Sequence, residues 1–323
     1  MGSDPETVRL GLLGCADVAL RRVLPAVSRS GAVRLVRSAS RNPDKAWKTA
    51  AQFGGEAVEG YEQLLADPEV DAVYVPLPSG LHAPWIERAL KAGKHVLAEK
   101  PLTTSSADTE SLHGLAQDRG LVLRENFMFL GHRLHTRVAS LLEEGAIGRV
   151  RSFHSAFTIP PRPPGDIRHR PELGGGALLD TAGYPLRAAL HFLGPDLRLT
   201  GALLRTDPDS EVDLGGAALF EAPDGVSVHC EFGMDHHYSS VYRFLGSEGG
   251  LSASHVFTTP PDHRPVVRIE TAEGTREESV PADDQFANSL RSFARAVRGS
   301  QSGTAPETRT QAGLIDLIRR AAR

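Results

Sequence analysis

The sequence predicts an α/β protein in two parts: an N-terminal doubly wound domain over residues 1–123 and a C-terminal α/β domain over 124–323, built on a large open, mainly antiparallel sheet. Three observations predict this. Up to about Leu123, short β-rich runs alternate with amphipathic helical stretches, the pattern of a parallel sheet covered on both faces. Beyond Leu123, strand-like runs follow one another with turn signals between them. A length of 323 residues, at roughly 150 per domain, leaves room for two cores.

The N-terminal elements read in order. Val8 to Leu13 is a strand ending at Gly14, and Asp17 to Ser28 is a helix that Pro25 could kink. Val33 to Ser38 is a second strand. Pro43 to Phe53 is a helix, with proline in the favourable first turn. Asp71 to Val75 is a strand stopped by Pro76 and Pro78, and Pro84 to Ala92 is a helix closed by Gly93. His95 to Ala98 is a strand, and Leu112 to Asp118 is a helix stopped by Gly120. In the second part Arg151 to Ile159, Leu199 to Leu204, Gly215 to Phe220, Val226 to Phe232, Ser239 to Phe244 and Val266 to Glu270 read as strands. Turns at Pro223-Asp224-Gly225 and Ala272-Glu273-Gly274 separate some of them. Phe286 to Val297 and Thr308 to Ala322 read as closing helices, and Pro160 to Pro164 as a loop over a cleft. The economical place for a site is the junction of the two domains.

Composition narrows the function. The net charge is −4, which argues against a general nucleic-acid binder. No apolar run approaches the roughly 18 residues that span a bilayer, and Met1 to Thr7 carries no signal-like stretch, so a cytoplasmic protein is the expectation. Cys15 and Cys230 form neither a disulfide framework nor a CxxC site and read as reduced, buried residues.

The first strand leads into Leu13-Gly14-Cys15-Ala16-Asp17-Val18-Ala19. A Rossmann dinucleotide loop has Gly-x-Gly-x-x-Gly here; this chain keeps the first glycine and places alanine at both later positions. Alanine still allows a close backbone approach, and the helix start would face a pyrophosphate with free N–H groups. The bland alternative is an ordinary tight strand–helix turn. After the second strand comes Ser38-Ala39-Ser40-Arg41, with no acid to bind ribose hydroxyls. Ser40 can donate a hydrogen bond and Arg41 can pair with a 2′-phosphate, which favours NADP(H) over NAD. Lys45 reads as a solvated helix residue.

The sharpest signal is Asp71-Ala72-Val73-Tyr74-Val75-Pro76-Leu77-Pro78-Ser79-Gly80-Leu81-His82, followed by Gly93-Lys94-His95-Val96-Leu97-Ala98-Glu99-Lys100-Pro101. With Gly174-Gly175-Gly176-Ala177-Leu178-Leu179-Asp180, these residues resemble the glucose–fructose oxidoreductase / inositol dehydrogenase family of NAD(P)-dependent sugar oxidoreductases. The resemblance spans Val8 to Arg323. It is closer still to the nucleotide-sugar 3-ketoreductases of deoxysugar biosynthesis, through Leu13 to Ala19 with Arg21-Arg22-Val23-Leu24-Pro25, Glu125 to Phe129, Phe157 to Pro161 and Gly165-Asp166-Ile167-Arg168. It implies a Rossmann domain, an open-sheet domain that often serves as an oligomer interface, a homodimer or homotetramer, and a dTDP-linked 3-keto-6-deoxyhexose as substrate.

Ketone reduction needs a hydride, a proton donor and a cation beside the developing alkoxide. Lys100 lies at a strand's C-terminal end, where α/β sheets place ligands. Tyr184 can supply the proton, since a neighbouring ammonium lowers a phenol's pKa from about 10. Inositol-type relatives often carry histidine at the position of Tyr184. Which of Lys100 and Tyr184 delivers the proton stays open.

Asp180 and Tyr184 have the i,i+4 spacing of one helix face, although Pro185 could kink that helix or mark its start. Asp180 reads equally as a helix cap or an active-site acid. The resemblance further implies Leu77, His82, Glu99, Arg168 and Asp180 toward the cofactor, with Arg168 alternatively on the substrate. It implies Tyr61 and Arg21 toward the nucleotide sugar, Arg21 and Arg22 reading equally as a solvated helix face.

No metal is expected. His132 and His135, and the adjacent His236 and His237, lack the spacing of a zinc motif. No Gly-x-Ser-x-Gly elbow suggests a serine hydrolase. Two rival readings remain at this level: a dehydrogenase of a free sugar, inositol or dihydrodiol, and a non-catalytic nucleotide or sugar sensor.

Overall fold

The structure is a computed structural model that describes residues 7–209, 211–299 and 306–322. The expectation for Met1 to Thr7 lies, but for Thr7, outside the described residues. The chain divides into two compact units. One runs to Met128 and takes in Phe286–Thr308; the other comprises Phe129–Gln285 and Arg309–Arg323. The return of Phe286–Thr308 to the first unit differs from the expected split at residue 123.

The first unit holds a six-stranded sheet of β1 (Val8–Leu13), β2 (Val33–Ala39), β3 (Glu56–Val58), β4 (Ala72–Val75), β5 (His95–Ala98) and β6 (Leu123–Glu125). Its order is β3-β2-β1-β4-β5-β6 and every pairing is parallel. The strands are Val- and Leu-rich because both faces are covered. The order reverses between β1 and β4, and a doubly wound sheet binds its ligand outside the carboxyl ends of the strands at that point.

Helices α1 (Leu24–Ser30), α2 (Pro43–Phe53), α3 (Tyr61–Ala66), α4 (His82–Lys91) and α5 (Ser106–Asp118) connect the strands. The first helix differs from expectation: a π-helical turn, Ala19–Val23, precedes α1 and Pro25. The wider turn accommodates a residue that has no N–H to donate and whose ring crowds the preceding turn. Capping explains the sharp start of α2, where the Asn42 side chain accepts the Asp44 N–H at 3.0 Å and Pro43 follows. Ser105 caps α5 in the same way, accepting the Asp108 N–H at 3.1 Å.

In the second unit, β7 (Val150–Thr158), β8 (Arg198–Thr206), β9 (Asp213–Ala222), β10 (Val226–Gly233), β11 (Ser239–Gly246), β12 (Gly249–Ser254), β13 (Val266–Thr271) and β14 (Gly274–Ser279) form one sheet. Its order is β14-β13-β12-β11-β7-β10-β9-β8, antiparallel except for the parallel pair β7–β10. Burial alternates along the strands, so that Val226, Val228, Cys230 and Phe232 face the core while His229 and Glu231 face out. Helices α6 (Arg133–Glu143), α7 (Ala177–Asp180) and α8 (Gly183–Leu193) belong to this unit, and α8 packs on β7 and β10. Pro160 to Pro164 is an exposed loop.

Two helices close the chain, α9 (Gln285–Val297) and α10 (Pro306–Ala321). Ala287, Leu290, Phe293 and Ala294 of α9 join Leu10, Leu12, Val23 and Leu24 in one core of the first unit. On α10, Gln311 accepts a hydrogen bond from the buried Arg187 Nε at 2.7 Å within the second unit. Among the described residues no helix is long and apolar enough to cross a membrane.

Candidate active site

Candidate residues gather in two places, one in each unit. In the first, Leu13 is buried at the end of β1 and Gly14 takes φ +103°, a region that L side chains rarely adopt. A Cβ at Gly14 would lie 2.7 Å from Leu77 Cδ2, so the kept glycine answers both a backbone and a packing demand. The Gly14 N–H donates to the Ala39 carbonyl at 2.9 Å, which ties the loop to the end of β2. Cys15 is buried, and that burial pushes its thiol pKa up despite hydrogen bonds with Thr49 and Ser40. Ala16 and Val18 are half-buried, Ala19 is buried, and Asp17 is exposed in an i,i+4 pair with the equally exposed Arg21 at 3.4 Å. Such a pair contributes little.

Ser40 is half-buried, its Oγ accepting the Asn42 N–H at 3.2 Å, and Arg41 and Lys45 are exposed. Tyr61 is buried. Its hydroxyl lies beside Gly14 and hydrogen-bonds the Arg41 backbone, and its ring meets Trp85 edge-on with centroids 4.7 Å apart. Burial raises the Tyr61 pKa. The structure thus brings Tyr61 to the loop after β1 and the end of β2.

Lys100 follows β5, half-buried, and its peptide bond to Pro101 is cis. The Glu99 N–H donates to the Val75 carbonyl at 3.0 Å. Glu99 Oε1 accepts from the Tyr74 hydroxyl at 2.8 Å and from Asn126 Nδ2 at 2.7 Å. His82 is fully buried, its ring bridging the Pro101 carbonyl (Nδ1, 2.8 Å) and the Leu77 carbonyl (Nε2, 2.7 Å). Burial pushes the imidazole pKa down, while the two carbonyls, which only accept, pull it back up by favouring the doubly protonated ring. The first unit therefore brings together Gly14, Leu77, Tyr61 and Arg41, and His82 links Leu77 to the turn that carries Glu99 and Lys100.

In the second unit, Arg168 Nε donates to Asp180 Oδ2 at 2.6 Å, and its Nη1 to Asp166 Oδ1 at 3.1 Å. The Asp180 charge, against the cost of burial, raises the Arg168 pKa further above its ordinary value. A Cβ at Gly175 would lie 2.5 Å from the Arg168 carbonyl oxygen, and one at Gly176 would collide with Asp213. The glycines are there so that the segment can wrap Arg168. The half-buried Asp213 accepts the Leu178 N–H at 2.5 Å, at the start of α7.

The expectation of one helix face for Asp180 and Tyr184 is corrected. Asp180 ends α7 and Tyr184 belongs to α8, which begins at Gly183. Pro185 marks that true start, because its missing N–H costs nothing in a first turn. Tyr184 is 5% exposed. Its ring packs with Phe157, Phe257 and Phe129 at centroid distances of 4.4, 5.5 and 6.0 Å.

His132 Nδ1 accepts the Leu134 N–H as the cap of α6, and burial lowers the His135 pKa to about 3. Among the described residues no cluster of three or more His, Cys, Asp or Glu is placed to hold a metal. Sequence reasoning missed the roles of Tyr74, Glu125, Asn126, Asp213 and Ser289. Tyr74, Glu125 and Asn126 sit inside motifs already singled out; Asp213 and Ser289 carry no local signal.

Comparison with known proteins gives a consistent picture. Residues 8–127 match the family model described as "Oxidoreductase family, NAD-binding Rossmann fold", and residues 135–252 match the GFO/IDH/MocA C-terminal domain. The chain is 50% identical to a dTDP-3,4-didehydro-2,6-dideoxy-alpha-D-glucose 3-reductase of Actinomadura kijaniata, covering 99% of this chain and 97% of that protein. It is 51% identical to a reductase of the same name from Streptomyces violaceoruber, covering 98% and 96%. The crystal structure of a 3-ketoreductase from Actinomadura kijaniata with NADP and TDP-benzene superposes with a TM-score of 0.96 at 50% identity, over 98% of each chain. That protein has also been solved as a tyrosine-to-phenylalanine and a lysine-to-alanine variant, at two positions separated by the same interval as Lys100 and Tyr184.

Proposed function

The chain belongs to the GFO/IDH/MocA oxidoreductase family, and from that premise we propose that it is an NADPH-dependent reductase of the C3 ketone of a dTDP-linked 3-keto-6-deoxyhexose. The substrate of this reading is dTDP-3,4-diketo-2,6-dideoxyhexose, and the process is deoxysugar biosynthesis. The observation that carries it is the full-length likeness, at half the residues, to reductases of that named reaction.

The residues present fit the cofactor. Gly14, at φ +103°, makes the tight turn such a loop needs at the end of β1, and the first N–H groups of the following helix have no partner within the helix. Ser40 and Arg41 follow β2 with no carboxylate beside them, which suits a 2′-phosphate. Leu13 to Ala19, Ser40, Arg41, Leu77, His82, Glu99, Arg168 and Asp180 are the proposed cofactor-side residues. Tyr61, at the phosphate loop, fits that side better than the sugar; Arg21 is kept for the diphosphate.

NADPH supplies the hydride that reduces the C3 carbonyl. Tyr184 acts as general acid: its hydroxyl gives a proton to the carbonyl oxygen as negative charge develops there. Lys100 is its electrostatic partner, stabilising that charge. The phenylalanine rings around Tyr184 hold its orientation and keep water from its faces. Exposed Leu203, Leu219 and Val266 line the open face of the eight-stranded sheet, which fits a homodimer or homotetramer built on that face. This reading, a reaction that draws on NADPH, goes with a cytoplasmic protein.

The test is NADPH consumption with enzymatically generated dTDP-3,4-diketo-2,6-dideoxyglucose, set against a panel of free sugars and inositols. Rapid oxidation with the nucleotide sugar alone is expected. Turnover of a free polyol without it would move the protein to the dehydrogenases.

A further inference from the structure

One dipeptide grips the turn of Lys100 from both sides. At the end of β6, Glu125 Oε1 accepts the Leu102 N–H at 2.8 Å, two residues after Lys100. The next residue, Asn126, donates from Nδ2 to Glu99 Oε1 at 2.7 Å, one residue before it. The Asn126 N–H also reaches the Ala98 carbonyl at 2.8 Å. Glu99 Oε1 accepts from both the Tyr74 hydroxyl and Asn126, so the amide turns its NH2 toward Glu99. Its oxygen then faces α9, where the Ser289 hydroxyl donates to Oδ1 at 2.8 Å. Asn126 is 2% exposed and Glu99 9%. In such a place an amide that lost its partner would leave a buried polar group unsatisfied, so the network holds one arrangement.

We infer that Glu125, Asn126 and Ser289 are positioning residues for Lys100: through Glu99 and Leu102 they fix the turn that aims its ammonium. The inference rests on the proposed role of Lys100. It gives the Glu125-Asn126 dipeptide a task and gives α9 a part in the chemistry through a side chain that reaches the Lys100 turn by way of Asn126 and Glu99.

The test uses the full chain with Asn126→Ala, Asn126→Asp and Ser289→Ala, read by kcat and KM in the NADPH-oxidation assay. Misplacing a reacting group is costly, so Asn126→Ala should lower kcat about 10- to 100-fold with KM changed less than about threefold. Ser289→Ala should lower kcat about three- to tenfold, since the amide keeps its bond to Glu99. Asn126→Asp sets a carboxylate against Glu99. The pair regains its hydrogen bond only when it shares a proton, so the ratio of variant to wild-type kcat should rise on going from about pH 8 to about pH 6. A merely structural role would lower the thermal midpoint without that recovery.

The inference is overturned if folded Asn126→Ala and Ser289→Ala keep kcat within about twofold, or if Asn126→Asp tracks the wild type at both pH values. Should Asn126→Ala not fold, the other two variants decide. If the wild type reduces no nucleotide sugar but turns over a polyol, the same ratios are read on that reaction, and only the functional reading falls. If it turns over neither, hydrogen exchange decides: the Glu99 amide, whose side chain loses its Asn126 partner, should lose protection in Asn126→Ala, and unchanged protection overturns the inference.

Discussion

The Arg168 guanidinium meets the Asp180 carboxylate at 2.6 Å, while the Arg168 carbonyl accepts the Gly176 N–H at 2.9 Å. Both ends of one residue are thereby clasped by one glycine-rich segment. The two side chains are 28% and 19% exposed, so solvent screening is partial. Asp180→Asn keeps the shape and removes the charge, while Asp166 stays beside Arg168. A loss of about 1–3 kcal/mol in urea unfolding is expected. A change inside about 0.5 kcal/mol would mean that the clasp is held by the backbone alone.

Tyr184→Phe removes a single oxygen and leaves the ring among Phe157, Phe257 and Phe129. Loss of a general acid should lower kcat by about 10²- to 10⁴-fold. NADPH binding, followed by fluorescence, should stay within about threefold of the wild type. Full turnover in the variant would hand the proton to another group, with Lys100 the first to examine.

Arg41→Ala tests the cofactor preference. A charge-assisted contact to a 2′-phosphate is worth about 1.5–3 kcal/mol, so KM for NADPH should rise roughly 10- to 100-fold. KM for NADH, which lacks that phosphate, should hardly move. A parallel rise for both cofactors would show that Arg41 does not read the 2′ position.

Asp213 gives a pH signature. Burial pushes its carboxyl above the ordinary value, and the N–H groups of Leu178, Asp213 and Ala177 only partly offset this. The folded state therefore holds the proton more tightly than the unfolded chain. Wild-type stability measured against Asp213→Asn should be greatest below the unfolded value and should fall as pH rises through the folded one. Urea titrations at a series of acid pH values check the sign. A difference that grows with pH would place the carboxyl in a better-solvated setting than the one seen.

The elements legible in the sequence are those that carry their own punctuation. Pro43 to Phe53 reads correctly to the residue, because Asn42 and Pro43 start the helix and an apolar face runs through Ala46, Thr49 and Ala50. Weaker signals are lost. β3 has three residues, β12 opens on two glycines, and β14, Gly-Thr-Arg-Glu-Glu-Ser, is charged and exposed with no alternation to read. α6 starts on a histidine cap, outside the usual set of capping residues. Within the site, Gly14 and the Glu99-Lys100-Pro101 stretch stand out locally because backbone conformation and a strand end fix them. The bond between Ser289 and Asn126 joins residues 163 positions apart, and no local pattern announces such a contact.

The place of α9 also sets an order of events during synthesis. The first unit's sheet is complete in sequence by Glu125, yet its core still lacks Leu290 and Phe293. While the ribosome makes the intervening stretch, Leu24, Val23 and their neighbours have no lid from that helix. The sheet of this unit is thus translated before the second unit's, yet its core is sealed only after that sheet has been made. A nascent chain stopped short of Phe293 would present an apolar surface that the finished protein hides.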